Sequence, residues 1–491
     1  MDKKAGIVPV FTRPGACETL EHMARQVPRH PRTLRRSARV ELPLAEKPPR
    51  RRQVSVNFLP LLLIGGFALA ILVGTLLLML PISSSSGEWT SPIVALFVST
   101  SAVCVTGLTP VDTATHWNGF GEAVIMLLIQ FGGLGFMTSA TLLFLLFGMR
   151  VGLRERIYLS QSMDLSRMGG VVNLTRRAIF FTVLMEAVGF VILSTRFAFD
   201  EPLGTALWRG LFHSISAFNN AGFDIMGGFS SLEGHNDFIT LATISILVVV
   251  GGIGFIVVED LLHVDRGRNR LNADSTVVLR ATAMLLAIGF VVFLLLEWSN
   301  VLADRSLPDK LLQSAFHSVT PRTAGFNSVP ISGLQDETQF FTLGLMFIGA
   351  GSGSTAGGIK IGTIAVIVAA AFSAIRSREH PEAANRELAR SDIDRALAVL
   401  LMAGTLVFIV ALTLARLEPI TFLPILFEAT SAFGTVGLST GITPDLSDAS
   451  LLVVTVTMFI GRLGPLTLIL ALVQRSGRET RRLPEERIRI G

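Results

Sequence analysis

Four glycines recur along the chain at similar intervals, and each lies near the end of a short segment of small, polar and apolar residues. The segments are SAVCVTGL (Ser101–Leu108), SAFNNAGF (Ser216–Phe223), VTPRTAGF (Val319–Phe326) and SAFGTVGL (Ser431–Leu438). Their spacing of a little over a hundred residues indicates one structural unit that is used four times. Four equivalent loops can surround a single axis, where their backbone groups act together.

Backbone carbonyl groups are the chemistry that these loops can offer. Glycine adopts positive φ without steric cost, which turns the neighbouring carbonyl, and it lets backbones approach closely. Carbonyl oxygens directed at one axis can replace the hydration shell of a cation. We therefore predict a cation filter built from four filter segments, numbered 1 to 4 in chain order: Val105, Thr106 and Gly107; Asn220, Ala221 and Gly222; Thr323, Ala324 and Gly325; Thr435, Val436 and Gly437.

The charges around these segments also favour a cation. The short segment before each glycine predicts a re-entrant helix whose partially negative C-terminal end points at the axis. The loops that follow the glycines carry acidic residues such as Asp112, Asp224 and Glu233. Arg322 is the one basic residue at the level of the filter segments, and we predict that it lies behind its loop and bonds the neighbouring backbone.

A second glycine motif follows each filter segment, and its third copy predicts a broken helix. The copies are FGGLGF (Phe131–Phe136), VGGIGF (Val250–Phe255), IGAGSG (Ile348–Gly353) and IGRLGP (Ile460–Pro465). Each glycine costs a helix about 1 kcal/mol relative to alanine, so a cluster should unwind it. The alternative is a patch of small residues where helices pack closely. The glycines of this copy and its continuation, together with the lysine after them, are the first gate candidate: Gly349, Gly351, Gly353, Gly357, Gly358 and Lys360.

Arg462 is the second gate candidate. It lies midway along an apolar segment, where a charge is costly and indicates a function. We predict that it bonds backbone carbonyls of the Gly349–Gly358 loop below the filter. The alternative is a purely structural bond to another helix.

The elements that must position these residues are membrane helices. Half of the residues are hydrophobic and 16% are charged, and long uncharged runs match the roughly 20 apolar residues that span a bilayer. Each unit is predicted to contain a first membrane helix, a re-entrant helix, a glycine turn and a second membrane helix. First helices are predicted near Asn57–Leu80, Ala178–Phe199, Val277–Trp298 and Ile393–Arg416, second helices near Glu122–Gly148, Phe238–Leu262, Gln339–Ile375 (interrupted) and Ser450–Val473, and re-entrant helices at Pro92–Val103 and Ala206–Phe218.

The predicted fold is an all-α, multi-pass membrane protein of four fused repeats around a central pore. The repeats are residues 57–149, 150–262, 263–376 and 377–475. Residues 1–56, rich in arginine and proline, predict a disordered basic tail that either only solubilises the chain or contacts anionic lipid or a cytoplasmic subunit; residues 476–491 form a second tail. Arginine is concentrated between repeats, which predicts that both termini are cytoplasmic and that the glycine turns open to the outside.

The filter motifs resemble those of the Trk/Ktr/HKT superfamily of potassium transporters, most closely its Ktr-type membrane subunit. The resemblance rests on VTPRTAGFNSV (Val319–Val329), SAFGTVGLSTGITP (Ser431–Pro444) and GSTAGGIK (Gly353–Lys360), and it covers about residues 57–473. It implies a fold like a potassium channel tetramer in one chain, and glycine in all four segments implies potassium preference. It also implies that the run from Gly349 to Lys360 is an obstructing loop below the filter, which favours a gate over close helix packing. It further implies an arginine at the position of Arg462 and a lysine at Lys360. Gly353 departs from the proline that is common in relatives.

The resemblance further implies partners that the chain does not contain. These are a second copy in a homodimer and a cytosolic ring of nucleotide-binding RCK subunits (KtrA/TrkA-like), in the plasma membrane or bacterial inner membrane. Membrane lipid is a partner by composition, and nucleic acid is not predicted. Nucleotide control would then belong to the ring, so we predict no cofactor, with the potassium ion as substrate.

Two other function classes compete with a pore: an enzyme and a secondary transporter. An enzyme is not predicted, because Ile359 separates Gly358 from Lys360 and spoils phosphate-loop spacing, and because no nucleophile and base are paired. His213 and His317 lack the company that a transition metal needs. A secondary transporter coupled to a sodium or proton gradient is the stronger alternative; it would use midplane carboxylates, for which Glu186 is the candidate.

Overall fold

The computed structural model describes residues 59–146, 171–264, 271–377, 381–384 and 386–464. The predictions made for both tails, and for parts of the connections between repeats, lie outside these residues. The described chain is mostly helical. Its strands are β1 (Glu382–Ala383) and β2 (Arg386–Glu387), which form a small antiparallel hairpin.

A similar order of helices occurs four times along the described chain: a long helix, a short helix that ends at a filter segment, and a second helix that is sometimes broken. The first set is α1 (Leu59–Met79), α2 (Pro92–Val103), the one-turn α3 (Thr113–His116) and α4 (Gly119–Leu146). The second set is α5 (Val171–Phe197), α6 (Leu203–Phe218), α7 (Phe238–Ile253) and α8 (Phe255–Val264). The third set is α9 (Ala273–Leu296), α10 (Leu307–Val319), α11 (Asp336–Phe347) and α12 (Ile361–Ile375), and the fourth is α13 (Arg390–Leu417), α14 (Phe422–Gly434) and α15 (Asp448–Leu463).

Local chemistry sets where several of these helices begin. The side chains of Asp237, Ser306 and Ser447 accept hydrogen bonds from backbone N–H groups in the first turns of α7, α10 and α15. Such caps satisfy donors that have no partner inside the helix. The three helices therefore start at defined residues: α7 and α15 after the second and fourth filter segments, and α10 before the third.

The long helices have the length and composition of membrane spans. Thr175–Phe197, Ala273–Leu296 and Arg390–Leu417 are each long and apolar enough to cross a bilayer. Large apolar side chains are exposed along them, including Phe180, Met284 and Phe408. Outward-facing apolar side chains are what a helix presents to lipid.

The second helix of the second set is broken, contrary to prediction. We predicted one helix over Phe238–Leu262, but α7 ends at Ile253 and α8 continues from Phe255 after a bend of 90°. Gly254 lies between them with φ +92, a conformation that L side chains rarely adopt. A Cβ atom there would lie 3.0 Å from Ser352 O, so the break makes room for the glycine-rich segment of the third set. The third second helix is interrupted as predicted, between α11 and α12.

The second glycine motif lets a second helix press against the end of a short helix. A Cβ atom on Gly132 would lie 2.0 Å from Val103 O, one on Gly251 2.0 Å from Phe218 O, and one on Gly461 2.1 Å from Phe433 O. No side chain fits at those distances. These three contacts join α4 to α2, α7 to α6 and α15 to α14 at the start of the filter segments. Close packing, which we held as the alternative for the third copy, is therefore what the other three copies provide.

Candidate functional site: a ring of four backbone loops

The four filter glycines lie against one another in a closed ring. A Cβ atom on Gly107 would lie 2.5 Å from Ala221 O, and one on Gly222 would lie 2.8 Å from Ala324 O. One on Gly325 would lie 2.6 Å from Val436 O, and one on Gly437 2.1 Å from Thr106 O. Each glycine thus faces the carbonyl that precedes the glycine of the next segment. The structure brings all four segments to one axis and leaves space there only for backbone.

Left-handed backbone recurs at equivalent positions in all four segments. The glycines have φ between +68 and +94. The residue two positions earlier is also left-handed, although it is not glycine: Val105 at φ +56, Asn220 at +58, Thr323 at +67 and Thr435 at +49. Positive φ is uncommon outside glycine and is an outlier for β-branched residues. Three of the four residues, Val105, Thr323 and Thr435, are such outliers, which the surrounding packing must maintain, and strain of this kind clusters at functional sites.

Hydroxyl side chains brace the filter segments from behind. Ser101 Oγ accepts a hydrogen bond from Gly107 N, and Ser431 Oγ accepts one from Gly437 N, both at 3.1 Å. Ser216 Oγ donates to Phe223 O at 2.7 Å, and Thr320 Oγ1 donates to Phe326 O. Sequence reasoning did not assign these roles. The signal was present, because three of the four motifs begin with serine and the third has threonine one position later.

Arg322 points away from the ring, but its predicted partner is wrong. Its guanidinium Nη2 donates to Thr282 Oγ1 on α9 at 3.3 Å, and not to the neighbouring backbone. The side chain is buried. The third segment therefore keeps its one basic residue behind the loop, held by the first long helix of its own set.

A cavity of about 260 Å³ lies on the face of the ring that follows the glycines. All four glycines line it, together with Asp224, Glu233 and Asn327. The loop after the second filter segment is hydrogen-bonded to the loops after the first and third. Asp112 Oδ2 accepts from Gly228 N at 2.6 Å, and Asn327 Nδ2 donates to Glu233 Oε1 at 2.9 Å. Burial, the largest cause, raises the pKa of the Asp224 carboxyl to about 6, and the nearby Asp112 carboxylate acts in the same direction, against a hydrogen bond from Met226 N. Acidic side chains at such a mouth attract cations.

The opposite face of the ring is covered by the glycine loop, residues 348–360 between α11 and α12. The loop folds back on itself, with Gly349 N donating to Ile359 O at 2.9 Å. A Cβ atom on Gly357 would lie 2.0 Å from Thr435 Oγ1 in the fourth filter segment, and one on Gly358 3.4 Å from Gly434 Cα.

The glycine loop also contacts α7 and α8. Gly351 packs on Ile253 O, and Gly353, at φ +66, packs beside Ile256. Lys360 Nζ donates to Ala356 O at 2.5 Å.

Arg462 connects the glycine loop to two helices. Its side chain is 3% exposed. Guanidinium Nη1 donates to Thr355 O in the loop, and Nη2 donates to Gly132 O on α4 at 2.7 Å. The loop carbonyl that we predicted as a partner and the helix bond that we held as the alternative therefore both occur. A buried cation shared by two carbonyls holds the loop in place as long as both bonds last.

Two buried carboxylates lie beside the ring without facing it. Glu428 accepts from Ser439 Oγ at 2.8 Å and Thr443 Oγ1 at 2.5 Å, which ties α14 to the loop after the fourth segment. Glu186 accepts from Asn219 Nδ2 at 2.9 Å and Gln130 Nε2 at 3.2 Å. His213 bonds Arg209 O within its own helix at 2.7 Å. Among the described residues, no three His, Cys, Asp or Glu side chains are grouped as metal ligands.

Comparisons with known proteins agree with this helical architecture. Residues 65–480 match the TrkH family, described as a cation transport protein. The Ktr system potassium uptake protein B of Bacillus subtilis (strain 168) is 41% identical over 413 residues, covering 84% of this chain and 92% of that protein. The potassium/sodium uptake protein NtpJ of Enterococcus hirae is 37% identical over 449 residues, covering 90% and 99%. The crystal structure of the potassium transporter TrkH from Vibrio parahaemolyticus has the same fold, with a TM-score of 0.69 at 17% identity over 86% of each chain. Because the family match extends over most of its length, this chain belongs to the TrkH family of cation transport proteins.

Proposed function

We propose that this chain carries potassium into the cell through the ring of four filter segments. The observation that supports this most directly is the closed ring itself, in which each glycine lies against a carbonyl of the next segment. Relatives that are 41% and 37% identical are named as potassium and potassium/sodium uptake proteins. Potassium is therefore the proposed cargo.

The proposed path begins at the acidic cavity. Asp224 and Glu233 raise the local concentration of cations there, and an ion then exchanges its water for carbonyl oxygens of the filter segments. The helices α2, α6, α10 and α14 all end at these segments, so their partially negative C-termini face the ion. Left-handed backbone at two positions of each segment would direct several carbonyls to the axis.

The glycine loop and Arg462 are the proposed gate. The loop lies against the ring on the face opposite the acidic cavity, where an ion would leave. Arg462 holds the loop through Thr355 O and places positive charge near the path. Opening would require the loop to leave Arg462 and α4, after which its many glycines make an alternative conformation accessible.

At the level of the whole protein, the proposal includes the repeat architecture and its partners. The chain would consist of four fused repeats (57–149, 150–262, 263–376 and 377–475) around one pore in the cell membrane, with both termini in the cytoplasm. A homodimer on a cytosolic ring of nucleotide-binding RCK subunits would regulate it. The Bacillus subtilis relative is named as one protein of a system, which supports the expectation of a partner.

Growth rescue is the direct test of this function. A bacterial strain without its own potassium uptake should grow at low potassium when it expresses this chain, with or without a matching RCK subunit. Purified protein in liposomes should then take up radioactive rubidium. A parent that neither rescues growth nor carries rubidium, although it is folded in the membrane, would contradict the proposal.

A gradient-coupled cation transporter is the second candidate, and one observation favours it. Glu186 is a buried carboxylate that accepts a hydrogen bond from Asn219, the residue directly before the second filter segment. Carboxylates buried at membrane depth serve as proton or ion sites in coupled transporters. A strict requirement for a sodium or proton gradient would favour this candidate.

A further inference from the structure

Thr355 is the point at which the glycine loop contacts the second filter segment. Its side chain lies within 3.0 Å of the Asn220 side-chain amide and 3.5 Å of Phe218 O, the last residue of α6. Its carbonyl accepts the bond from Arg462, and its N–H faces Gly251 O on α7 at 3.5 Å. One residue of the proposed gate thus contacts the filter, the gating arginine and the neighbouring helix at once.

The Asn220 amide has a single orientation that satisfies its surroundings. With its nitrogen turned inward it donates to Thr355 Oγ1 at 3.0 Å and to Val248 O and Phe218 O at 3.3 Å each. The reverse orientation points the amide oxygen at two carbonyl oxygens, which repel it. Thr355 is therefore one of three acceptors that hold the Asn220 side chain.

The backbone of Asn220 makes this contact consequential. Asn220 is left-handed, with φ +58, and it opens the second filter segment. Its side chain is 1% exposed and packed against the loop, so the side chain and the backbone conformation are fixed together. Removal of a partner from a buried amide is costly, since the group has no water to replace it.

We infer that Thr355 is a positioning residue that makes the geometry of the second filter segment depend on the position of the glycine loop. The inference rests on the proposed function and adds to it that gate and filter are one coupled unit. When the loop leaves the ring, Asn220 loses the Thr355 hydroxyl and its segment gains freedom. The filter then discriminates less sharply between potassium and sodium while the gate is open.

The test compares rubidium and sodium fluxes in liposomes for three single variants. Thr355→Val removes the hydroxyl but keeps the shape, the carbonyl bonded to Arg462 and the N–H. We expect it to lower the rubidium to sodium flux ratio by about fivefold, as expected for one buried hydrogen bond. Thr355→Ser restores the hydroxyl and should restore the ratio. Thr195→Val is the matched control, because it makes the same substitution at an exposed position of α5, where Thr195 Oγ1 donates to Val191 O within the helix at 2.7 Å; it should leave the ratio unchanged.

A double variant tests the coupling itself. Arg462→Ala frees the loop, so it should lower the flux ratio on its own, and adding Thr355→Val should change the ratio no further. Independent, multiplying effects of the two substitutions would overturn the inference, and so would an unchanged ratio in a folded Thr355→Val protein. Both of those outcomes presuppose a parent that carries rubidium. A parent that carries no cation at all would instead contradict the proposed function.

Discussion

At Gly107 the ring has no space for a side chain. A Cβ atom there would lie 2.5 Å from Ala221 O, and φ is +94. We expect Gly107→Ser to lower the rubidium to sodium flux ratio at least about tenfold, because strained backbone costs about 1–3 kcal/mol and the crowding must widen the ring. The measurement is isotope uptake into liposomes at matched protein amounts.

Gly87→Ser is the control for backbone strain alone. Gly87 also has positive φ, at +71, but no atom lies within 4 Å of the position of a Cβ. The substitution imposes a similar conformational cost without touching the ring, so the flux ratio should stay as in the parent. An equal loss in both variants would mean that instability, and not ring geometry, explains the result.

The Asp224 carboxyl should make potassium uptake depend on external pH. Its pKa is raised to about 6, so the group is charged above pH 6 and becomes neutral below it. A neutral side chain no longer attracts cations to the acidic cavity. We therefore expect the apparent KM for rubidium to rise about threefold when the pH falls from 7.5 to 5. Initial rates at several rubidium concentrations on each side of pH 6 measure this.

Two variants separate Asp224 from other acidic groups at the surface. Asp224→Asn should have the high KM at every pH and lose the dependence between pH 7.5 and 5. Glu88→Gln, at an exposed residue outside the cavity, should behave as the parent does. If the pH dependence survives in Asp224→Asn, another group is responsible.

Residue types explain which parts of the ring could be predicted. The four filter glycines were identifiable because only glycine combines positive φ with close backbone approach. The second left-handed position was not, since Val105, Asn220, Thr323 and Thr435 share no property that marks it. The partner of Arg322 was also missed, because Thr282 is some forty residues earlier in the chain and only packing brings it near. Local chemistry was readable, whereas long-range partners were not.

At the scale of elements, Arg462 bonds the glycine loop through Thr355 O. Arg462→Ala removes the buried guanidinium and with it the hydrogen bonds to Thr355 O and Gly132 O. Hydrogen bonds of a charged group contribute about 1.5–3 kcal/mol each, so the open loop should gain population and rubidium flux without any partner subunit should rise at least about tenfold. Isotope uptake by the purified chain alone measures this.

Two further arginine variants test whether the effect is specific to the Arg462 side chain. Arg416→Ala removes an exposed arginine at the end of α13 and should leave flux unchanged. Arg462→Lys keeps the charge but cannot reach both carbonyls with a planar fork, so an intermediate flux is expected. Equal flux in the parent and in a folded Arg462→Ala protein would remove Arg462 from the gate.

Helix positions followed from apolar patterning, but a helix break depended on context. The predicted interruption between α11 and α12 appears, because glycines are dense enough there to unwind a helix whatever surrounds it. Gly254 belongs to a sparser motif, VGGIGF, whose relatives in α4 and α15 allow close packing. Its break lies where the glycine loop of the third set of helices packs, since a Cβ atom on Gly254 would lie 3.0 Å from Ser352 O. Patterning within one segment cannot report such a neighbour.

At the scale of the whole molecule, the four short helices and their loops form one axis, which favours a passive pore over a coupled transporter. A coupled transporter must alternate access around a bound cation, whereas each filter glycine in the ring faces backbone atoms of the next segment. We therefore expect rubidium uptake into liposomes to follow the rubidium gradient alone, with no sodium present and with equal pH on both sides. Reversing the rubidium gradient should reverse the flux.

Glu186 provides the variant that decides between the two. Gln at this position keeps an acceptor for Asn219 and similar volume but cannot take up and release a proton. Under a passive mechanism, Glu186→Gln should carry rubidium within about fivefold of the parent, since it alters one hydrogen bond, which contributes about 1 kcal/mol. A coupled mechanism predicts that the parent accumulates rubidium against its gradient when a proton gradient is imposed and that Glu186→Gln does not. If Glu186→Gln no longer accumulates rubidium but still carries it down its gradient, Glu186 is the coupling site. That result would exclude a purely passive pore.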